Sequence, residues 1–219
     1  MSASNIVSEE RKGSLGDNES LQEVLDFLVI EEQLGVTLVS AAINNAPGTP
    51  SEAFLPVLRN GVTQEYHHVE ALKEAGGNPL TTTYWFPDAA LDNGGIGIFE
   101  TLEVIETIEI SLYLIGVTAY ARRGEDFGAR LCAEAMGTEA VHRALVRFAQ
   151  GELGKQIGPP NDVGFENFDW PTVGAVRKAL EGLGIGYGVE TSQPGRFYDY
   201  PGDPLANGLG TPVTHTRPA

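Results

Sequence analysis

Two short stretches of the chain place a glutamate three positions before a histidine. The stretch QEYHHVEALK contains Glu65 and His68, and the stretch GTEAVHRALV contains Glu139 and His142. Residues three apart lie on one face of an α-helix, so each pair presents a carboxylate and an imidazole in the same direction. Both pairs sit among apolar residues, where a charged side chain needs a partner. This pattern predicts that the pairs are two halves of one metal site.

Carboxylates and imidazoles at this spacing are typical ligands of a dinuclear metal site inside a bundle of four helices. Such a site takes a Glu-x-x-His pair from each of two helices and one glutamate from each of the other two. Oxygen and nitrogen donors without thiolate suit iron or manganese. We therefore predict two iron or manganese ions per chain if the site is complete. The alternative is a charge pattern on ordinary helices, with both histidines hydrogen-bonded in the core.

The first predicted helix offers two adjacent glutamates, Glu31 and Glu32. Helical periodicity puts Glu32 on the apolar stripe formed by Leu25, Leu28, Val36 and Val39. We therefore predict Glu32 as the ligand from this helix. Glu31 is left open between a surface edge and the site.

The third predicted helix carries glutamates at successive spacings of three: Glu100, Glu103, Glu106 and Glu109. Glu109 falls on the most apolar face of this helix, whereas Glu106 lies next to Tyr113. We predict Glu109 as the ligand, with Glu106 as the alternative, and we expect Tyr113 mainly to pack.

Four helices are needed to position these residues. Ser20, or else Asn18, is predicted to cap the first helix, because Ser20 and Glu23 form a capping-box pattern. The predicted helices cover residues 21–43, residues 51–75 before the stop at Gly76 and Gly77, about residues 96–122, and about residues 127–152. Residues 78–94 are predicted to form a long irregular crossover between helices two and three, which would let those two helices lie parallel.

The fold class predicted from these elements is all-α, a four-helix bundle with flanking segments. Residues 1–18 are predicted to be a disordered arm, residues 19–154 the bundle, and residues 155–219 a Gly/Pro-rich C-terminal extension with one short helix. The extension is expected either to pack on the bundle or to reach another subunit as part of a homo-oligomer. His67 and His215 are expected to face solvent.

The composition excludes several classes of partner. The chain of 219 residues has 30 acidic and 14 basic residues, a formal net charge of −16, and no Lys/Arg cluster. Nucleic acid and membrane surfaces are therefore rejected as partners. The single cysteine, Cys132, excludes an intrachain disulfide and a cysteine-based zinc cluster. The polar N-terminal stretch lacks a secretory signal pattern, and the apolar stretch ISLYLIGVTAYA is too short to span a bilayer, so a cytoplasmic location is expected.

The segments LDFLVIEEQLG, QEYHHVEALKEAGGNP, SLYLIGVTAY and MGTEAVHRALVR, with the tail QPGRFYDYPGDPLANG, resemble the ferritin-like superfamily. Within it the chain is most similar to the ferritin-like proteins grouped with desiccation-related proteins. The resemblance covers about residues 20–210. It implies a ferritin-like four-helix bundle with a di-metal site at Glu32, Glu65, His68, Glu139 and His142.

The chain departs from this family pattern at one position. Related sequences often place a helix-three glutamate where this chain has Tyr113, seven residues before the tyrosine of GVTAY. The first expectation is nevertheless a di-metal oxidoreductase that acts on dioxygen, peroxide, ferrous iron or a small-molecule substrate. The alternative is a non-enzymatic desiccation or stress-protection protein whose metal site is structural, incomplete or absent.

Overall fold

The computed structural model describes residues 19–91 and 95–219. The predicted N-terminal arm, residues 1–18, lies outside the described residues. Within them the chain is mainly helical, as predicted, but it also contains a small three-stranded sheet that the all-α prediction did not include.

Four helices of 20 to 27 residues dominate the described part of the chain. They are α1 Leu21–Asn45, α2 Leu55–Glu74, α3 Gly97–Arg123 and α4 Asp126–Glu152, followed by the shorter α5 Val173–Gly182. Their positions agree with the predicted ones, except that α2 begins later than Ser51. A 3-10 helix, Pro50–Phe54, occupies the segment before α2.

The helix ends show why these segments start and stop where they do. Ser20 caps α1: its hydroxyl accepts a hydrogen bond from the Glu23 backbone N–H, and the Glu23 carboxylate accepts one from the Ser20 N–H. Gly124 ends α3 in the left-handed conformation, with φ 73°, and only Gly124 and Glu125 separate α3 from α4. Such a short connection makes α3 and α4 neighbours.

The four long helices contact one another in a ring. Helix α1 packs against α2 and α3, and α4 also packs against α2 and α3. Their inward sides form one apolar core that includes the fully buried Leu34, Leu38, Ile105 and Ile108. A ring of this kind gives each helix access to a common interior.

The predicted irregular crossover between α2 and α3 contains a strand, which corrects the sequence prediction. Strand β1, Thr83–Pro87, lies between β2, Gly186–Tyr187, and β3, Gly195–Asp199, and pairs with both in antiparallel fashion. The sequence TYWFP has the aromatic and β-branched residues that favour strands. The prolines and threonines around this run obscured it.

The C-terminal extension packs on the helices of its own chain. Arg59 of α2 donates a hydrogen bond to the Gly208 carbonyl at 2.8 Å, and its own carbonyl accepts one from the Thr211 N–H at 3.1 Å. The Ala219 N–H donates to Glu134 of α4 at 3.1 Å. The last residues therefore lie across α2 and α4, whereas the predicted homo-oligomer stays a prediction.

Helix α3 is long and apolar enough to cross a membrane by length and composition alone. Its most apolar 18-residue window has a mean hydropathy of 1.4, and 67% of that window is buried inside the protein. The sequence prediction concerned the stretch ISLYLIGVTAYA alone, whereas the whole helix that contains it is long enough. Such burial is typical of a core helix, and one such window is weak evidence for a membrane span.

Candidate metal centre

Each of the four long helices directs at least one carboxylate into the common interior. Helix α1 contributes Glu32, α2 contributes the pair Glu65 and His68, α3 contributes Glu106 and Glu109, and α4 contributes the pair Glu139 and His142. All of these are buried except His68, whose side chain is 14% exposed. So many buried ionisable groups in one apolar core need a common partner.

The potential ligands form two groups that share two residues. One group is Glu32, Glu65, His68 and Glu139, and the other is Glu65, Glu106, Glu139 and His142. Within each group one ligand atom from every residue lies within 4.8 Å of the others. Both Glu-x-x-His pairs thus meet in one place, and the shared carboxylates Glu65 and Glu139 lie between the two histidines.

The histidine of each group is in close contact with two carboxylates, at least one of which comes from another helix. His68 Nδ1 lies 2.8 Å from Glu139 Oε1 and 3.2 Å from Glu32 Oε2. His142 Nδ1 lies 2.8 Å from Glu139 Oε2 and 2.9 Å from Glu65 Oε1. Each imidazole therefore directs Nδ1 towards the cluster.

Several carboxylate oxygens of the cluster have no hydrogen-bond partner among the described residues. Buried oxygens without a hydrogen-bond partner among the described residues occur on Glu65, Glu106, Glu109 and Glu139. The Glu139 Oε1 atom is one of them although it is 2.8 Å from His68 Nδ1, because that approach lacks hydrogen-bond geometry. Each Nδ1 forms a hydrogen bond with only one of its two nearest carboxylates, His68 with Glu32 and His142 with Glu139. The other short contact of each histidine lacks hydrogen-bond geometry, as is common among ligands that surround one ion. The donor set therefore fits a bound cation.

The two helix-three candidates lie in different positions relative to these groups. Glu106 belongs to the second group, and its Oε2 is 3.6 Å from His142 Nδ1. Glu109, the predicted ligand, is also buried and close to Glu65, but it belongs to neither group. The geometry favours the alternative, Glu106, and the role of Glu109 as a ligand stays a prediction.

Two neighbours orient the ligand side chains, and the sequence did not reveal the role of Gln64. The Gln64 side-chain oxygen lies 3.0 Å from His142 Nε2, so it can accept the Nε2 proton and leave Nδ1 free for a cation. The buried Tyr113, expected mainly to pack, donates a hydrogen bond to Glu32 Oε1. Tyr113 therefore holds the helix-one carboxylate in place.

Gly35 makes room for the carboxylates. A Cβ atom at this position of α1 would lie 3.1 Å from Glu65 Oε2 and 3.7 Å from Glu109 Oε1. Any larger residue would press on the shared carboxylate of Glu65. Gly35 follows Glu32 by three residues on the same helix face, which is the only sign of this role in the sequence.

The electrostatics of the cluster follow from burial and from mutual charge. Burial raises the pKa of Glu32, Glu106 and Glu109 well above the ordinary value, and neighbouring carboxylates raise it further. For Glu139 burial acts in the same direction, but the charges of His68 and His142 outweigh it, so its pKa falls below the ordinary value. Without a cation, then, this cluster must retain protons to limit its own repulsion.

The charges balance when two divalent ions are present. The two groups together hold four glutamates and two histidines. Four carboxylates with two neutral imidazoles carry −4, and two divalent cations carry +4. This set could hold metal ions, and its oxygen and nitrogen donors suit iron, manganese or zinc better than the softer thiophilic ions.

The adjacent Glu31 does not join the cluster. It is fully buried, which excludes the surface edge as one of the two positions left open by the sequence. Its Oε1 accepts a hydrogen bond from the Tyr187 hydroxyl at 2.9 Å. Burial raises the pKa of Glu31 to about 8, against the opposing effects of that hydrogen bond and of the Arg177 charge. Glu31 therefore faces the small sheet and α5, away from the metal ligands.

Comparisons of the chain with protein-family models, with curated proteins and with solved structures find no significant match. The ferritin-like resemblance therefore stays a prediction that rests on its sequence segments, and the site must be interpreted from its own geometry.

Proposed function

We propose that this protein is a ferritin-like four-helix bundle with a dinuclear iron or manganese centre. In this proposal it is a cytoplasmic oxidoreductase that acts on dioxygen, peroxide or ferrous iron. The observation that carries the proposal is the pair of ligand groups that share Glu65 and Glu139. Shared carboxylates are what a pair of cations needs in order to lie close together, because bridging oxygens neutralise both ions at once.

The residues of the two ligand groups would have different roles in holding the ions. His68 and His142 would donate neutral nitrogens, and Glu32 and Glu106 would each hold one ion at an end of the pair. Glu65 and Glu139, which belong to both groups, would be shared by the two ions. An iron or manganese pair, when bound, supplies electrons and Lewis acidity for reactions of the O–O bond.

Tyr113 and Gln64 would support this arrangement without binding the ions. The Tyr113 hydroxyl keeps one oxygen of Glu32 occupied, which leaves the other oxygen for a cation. Gln64 fixes the tautomer of His142. The buried apolar residues Leu58, Leu102 and Val146 line one small cavity together with Glu65, Glu106 and His142.

The proposal is tested by catalytic turnover that depends on the metal. Protein stripped with a chelator and reloaded with iron or manganese should consume peroxide or dioxygen, and the stripped protein should not. Glu106→Gln should lower the turnover at least about tenfold, since it removes a charged ligand. The matched control is Glu100→Gln. Glu100 lies six residues before Glu106 on α3, and its carboxylate forms an ion pair with Lys155 at 3.1 Å.

Equal turnover of stripped and reloaded protein would contradict the proposal. So would a Glu100→Gln variant that loses as much activity as Glu106→Gln, because the effect would then not be specific to the cluster.

Tyr113 is the specific observation that favours a second candidate function. It occupies the place of a glutamate in related sequences and uses its hydroxyl to bind a ligand carboxylate. A centre whose helix-three glutamate lies at a different position could be purely structural, in a protein whose acidic surface protects other components during drying. In that case metal removal would lower the stability of the fold but leave the protective effect on a dried test enzyme unchanged.

A further inference from the structure

A cavity of about 190 Å³ lies beside the cluster, between α2, α4 and the end of the C-terminal extension. His68 and Tyr113 both line it. His68 belongs to the first ligand group, and Tyr113 donates a hydrogen bond to Glu32 of the same group. A molecule in this cavity would therefore be adjacent to one half of the cluster.

The last residues of the chain close the cavity on one side. Residues 213–218 line it, and two contacts fix this segment to the helices. The Arg217 guanidinium is 3.3 Å from Glu74 of α2, and the Ala219 N–H donates to Glu134 of α4 at 3.1 Å. This cavity wall therefore depends on the extension and not on the four helices alone.

His215 has an unusual backbone conformation in this wall. Its φ is 54°, the one positive φ of a non-glycine residue among the described residues. Non-glycine residues in this conformation are uncommon, and they occur most often at binding and active sites. The exposed His215, together with the half-buried His67, gives the cavity polar groups at the end remote from the core.

The remaining walls combine apolar surface with charges that already have partners. Leu72, Leu131 and Ala135 provide the apolar surface. Apart from the histidines, the charged residues of the lining are Glu134 and Arg217. Both form ion pairs within the protein, Glu134 with Arg130 at 3.6 Å and Arg217 with Glu74 at 3.3 Å. A ligand in this cavity need not supply a counter-charge.

We propose that this cavity binds a small, uncharged organic molecule with an apolar body and one hydrogen-bonding group, such as a phenol or a cyclic alcohol. The apolar body would contact Leu72, Leu131 and Ala135, and the polar group would reach the histidines or Tyr113. That this molecule is a substrate of the metal centre rests on the proposed function, whereas its binding needs only the cavity. The volume is below the range of about 300–1,000 Å³ for drug-sized ligands, which limits the molecule to roughly one ring.

Binding of phenol to the full-length protein tests the proposal, measured by titration calorimetry and by ligand-observed NMR. Both metal-loaded and chelator-stripped protein should be titrated. Ala135→Leu and Thr138→Leu place extra volume in the cavity and should weaken phenol binding at least tenfold. Two variants are used because Thr138 is less buried, so a larger side chain there is better tolerated by the fold.

The matched control is Ala144→Leu, which adds the same side chain to the same helix but in a different surface groove. It should bind phenol as the unmodified protein does. In manganese-loaded protein the NMR signals of phenol should broaden strongly, because manganese is paramagnetic and its proposed ligand His68 lines the cavity.

Phenol binding that the two cavity variants weaken and the control does not would support the site, even if the stripped protein proved unable to take up metal and the proposed function failed. No phenol binding by the folded protein would overturn the inference, as would equal weakening in Ala144→Leu. Tighter binding of benzoate than of phenol would overturn the assignment of an uncharged ligand.

Discussion

Glu31 and Glu32 are neighbours on α1, and both carboxylates are buried, yet they lie in different surroundings. Glu31 has one hydrogen bond from Tyr187 and the charge of Arg177 nearby. Glu32 faces His68 and lies close enough to Glu65 and Glu139 for their charges to raise its pKa. The first environment holds a single carboxyl group that one proton neutralises, whereas the second contains several carboxylates that repel one another.

This difference shows that burial alone does not identify a metal ligand. A buried glutamate can persist as a neutral acid in an apolar site. What distinguishes Glu32 is convergence, because its carboxylate meets ligand atoms from α2 and α4 within one small space. The comparison therefore predicts opposite consequences for equivalent substitutions at the two positions.

The largest effect is expected for Glu139→Gln. Glu139 belongs to both ligand groups, so this variant should lose both ions, whereas Glu31→Gln should keep the metal content of the unmodified protein. Elemental analysis of the purified variants, with folding checked by circular dichroism, measures this. Equal metal loss in the two variants would remove the distinction between the two buried environments.

The next effect concerns residues that belong to only one group. Glu32→Gln should lose the ion of the first group, and Glu106→Gln the ion of the second, so each variant should retain about half of the metal. Glu109→Gln should retain more metal than Glu106→Gln, because Glu109 belongs to neither group. Titration of stripped protein with manganese, followed by paramagnetic resonance, counts the sites. Full retention by Glu106→Gln with loss by Glu109→Gln would restore the original sequence prediction.

Glu31 should give the protein a pH-dependent stability. Its pKa rises from an ordinary value of 4.5 to about 8 in the folded chain, so the unfolded chain releases this proton at lower pH than the folded chain does. Stability from this group is fully present below pH 4.5 and is lost as the pH rises to about 8, by on the order of 5 kcal/mol. Urea unfolding at pH 5 and pH 8 should show that Glu31→Gln removes this loss, whereas an unchanged pH dependence would be inconsistent with a buried neutral Glu31.

A smaller effect is expected for Gln64→Leu. The variant removes the acceptor that fixes His142 but leaves every predicted ligand in place. Loss of a residue that hydrogen-bonds to a ligand histidine typically lowers the metal affinity about 10- to 100-fold. Competition with a chelator of known affinity measures the change. A Gln64→Leu variant with unchanged affinity would mean that His142 does not depend on Gln64 for its orientation.

The smallest effect is expected at Cys132, which lies outside both ligand groups. Its thiol is fully buried, and burial raises its pKa to about 12, so it should remain protonated and unreactive at pH 8. Reaction with a thiol reagent should occur only after unfolding. Fast reaction in the native state would show that the interior between α3 and α4 opens readily.

The sequence predicted those features that depend on local pattern. Ser20 and Glu23 are sufficient to begin α1, and a spacing of three is sufficient to place each Glu-x-x-His pair on one helix face. The spacing also explains the uncertainty on α3: Glu106 and Glu109 are three apart, so both reach the interior, and only the packing of α3 against α4 brings Glu106 close to His142.

Other features depend on contacts between distant segments and have no local pattern. Strand β1 is stabilised by pairing with β2 and β3, which lie about a hundred residues later in the chain. Gly35 looks like an ordinary helix residue until the Glu65 carboxylate is found against it. The cavity wall at His215 exists only because the extension returns to α2 and α4, and a sequence pattern does not reveal that return.

Metal stoichiometry tests the central claim most directly. The protein should be produced in cells supplied with both iron and manganese, purified without chelator, and subjected to elemental analysis. About two iron or manganese ions per chain are expected if the two ligand groups form one dinuclear centre. A folded chain with no bound metal would contradict the claim, and the buried glutamates and histidines would then be a network held together by protons alone.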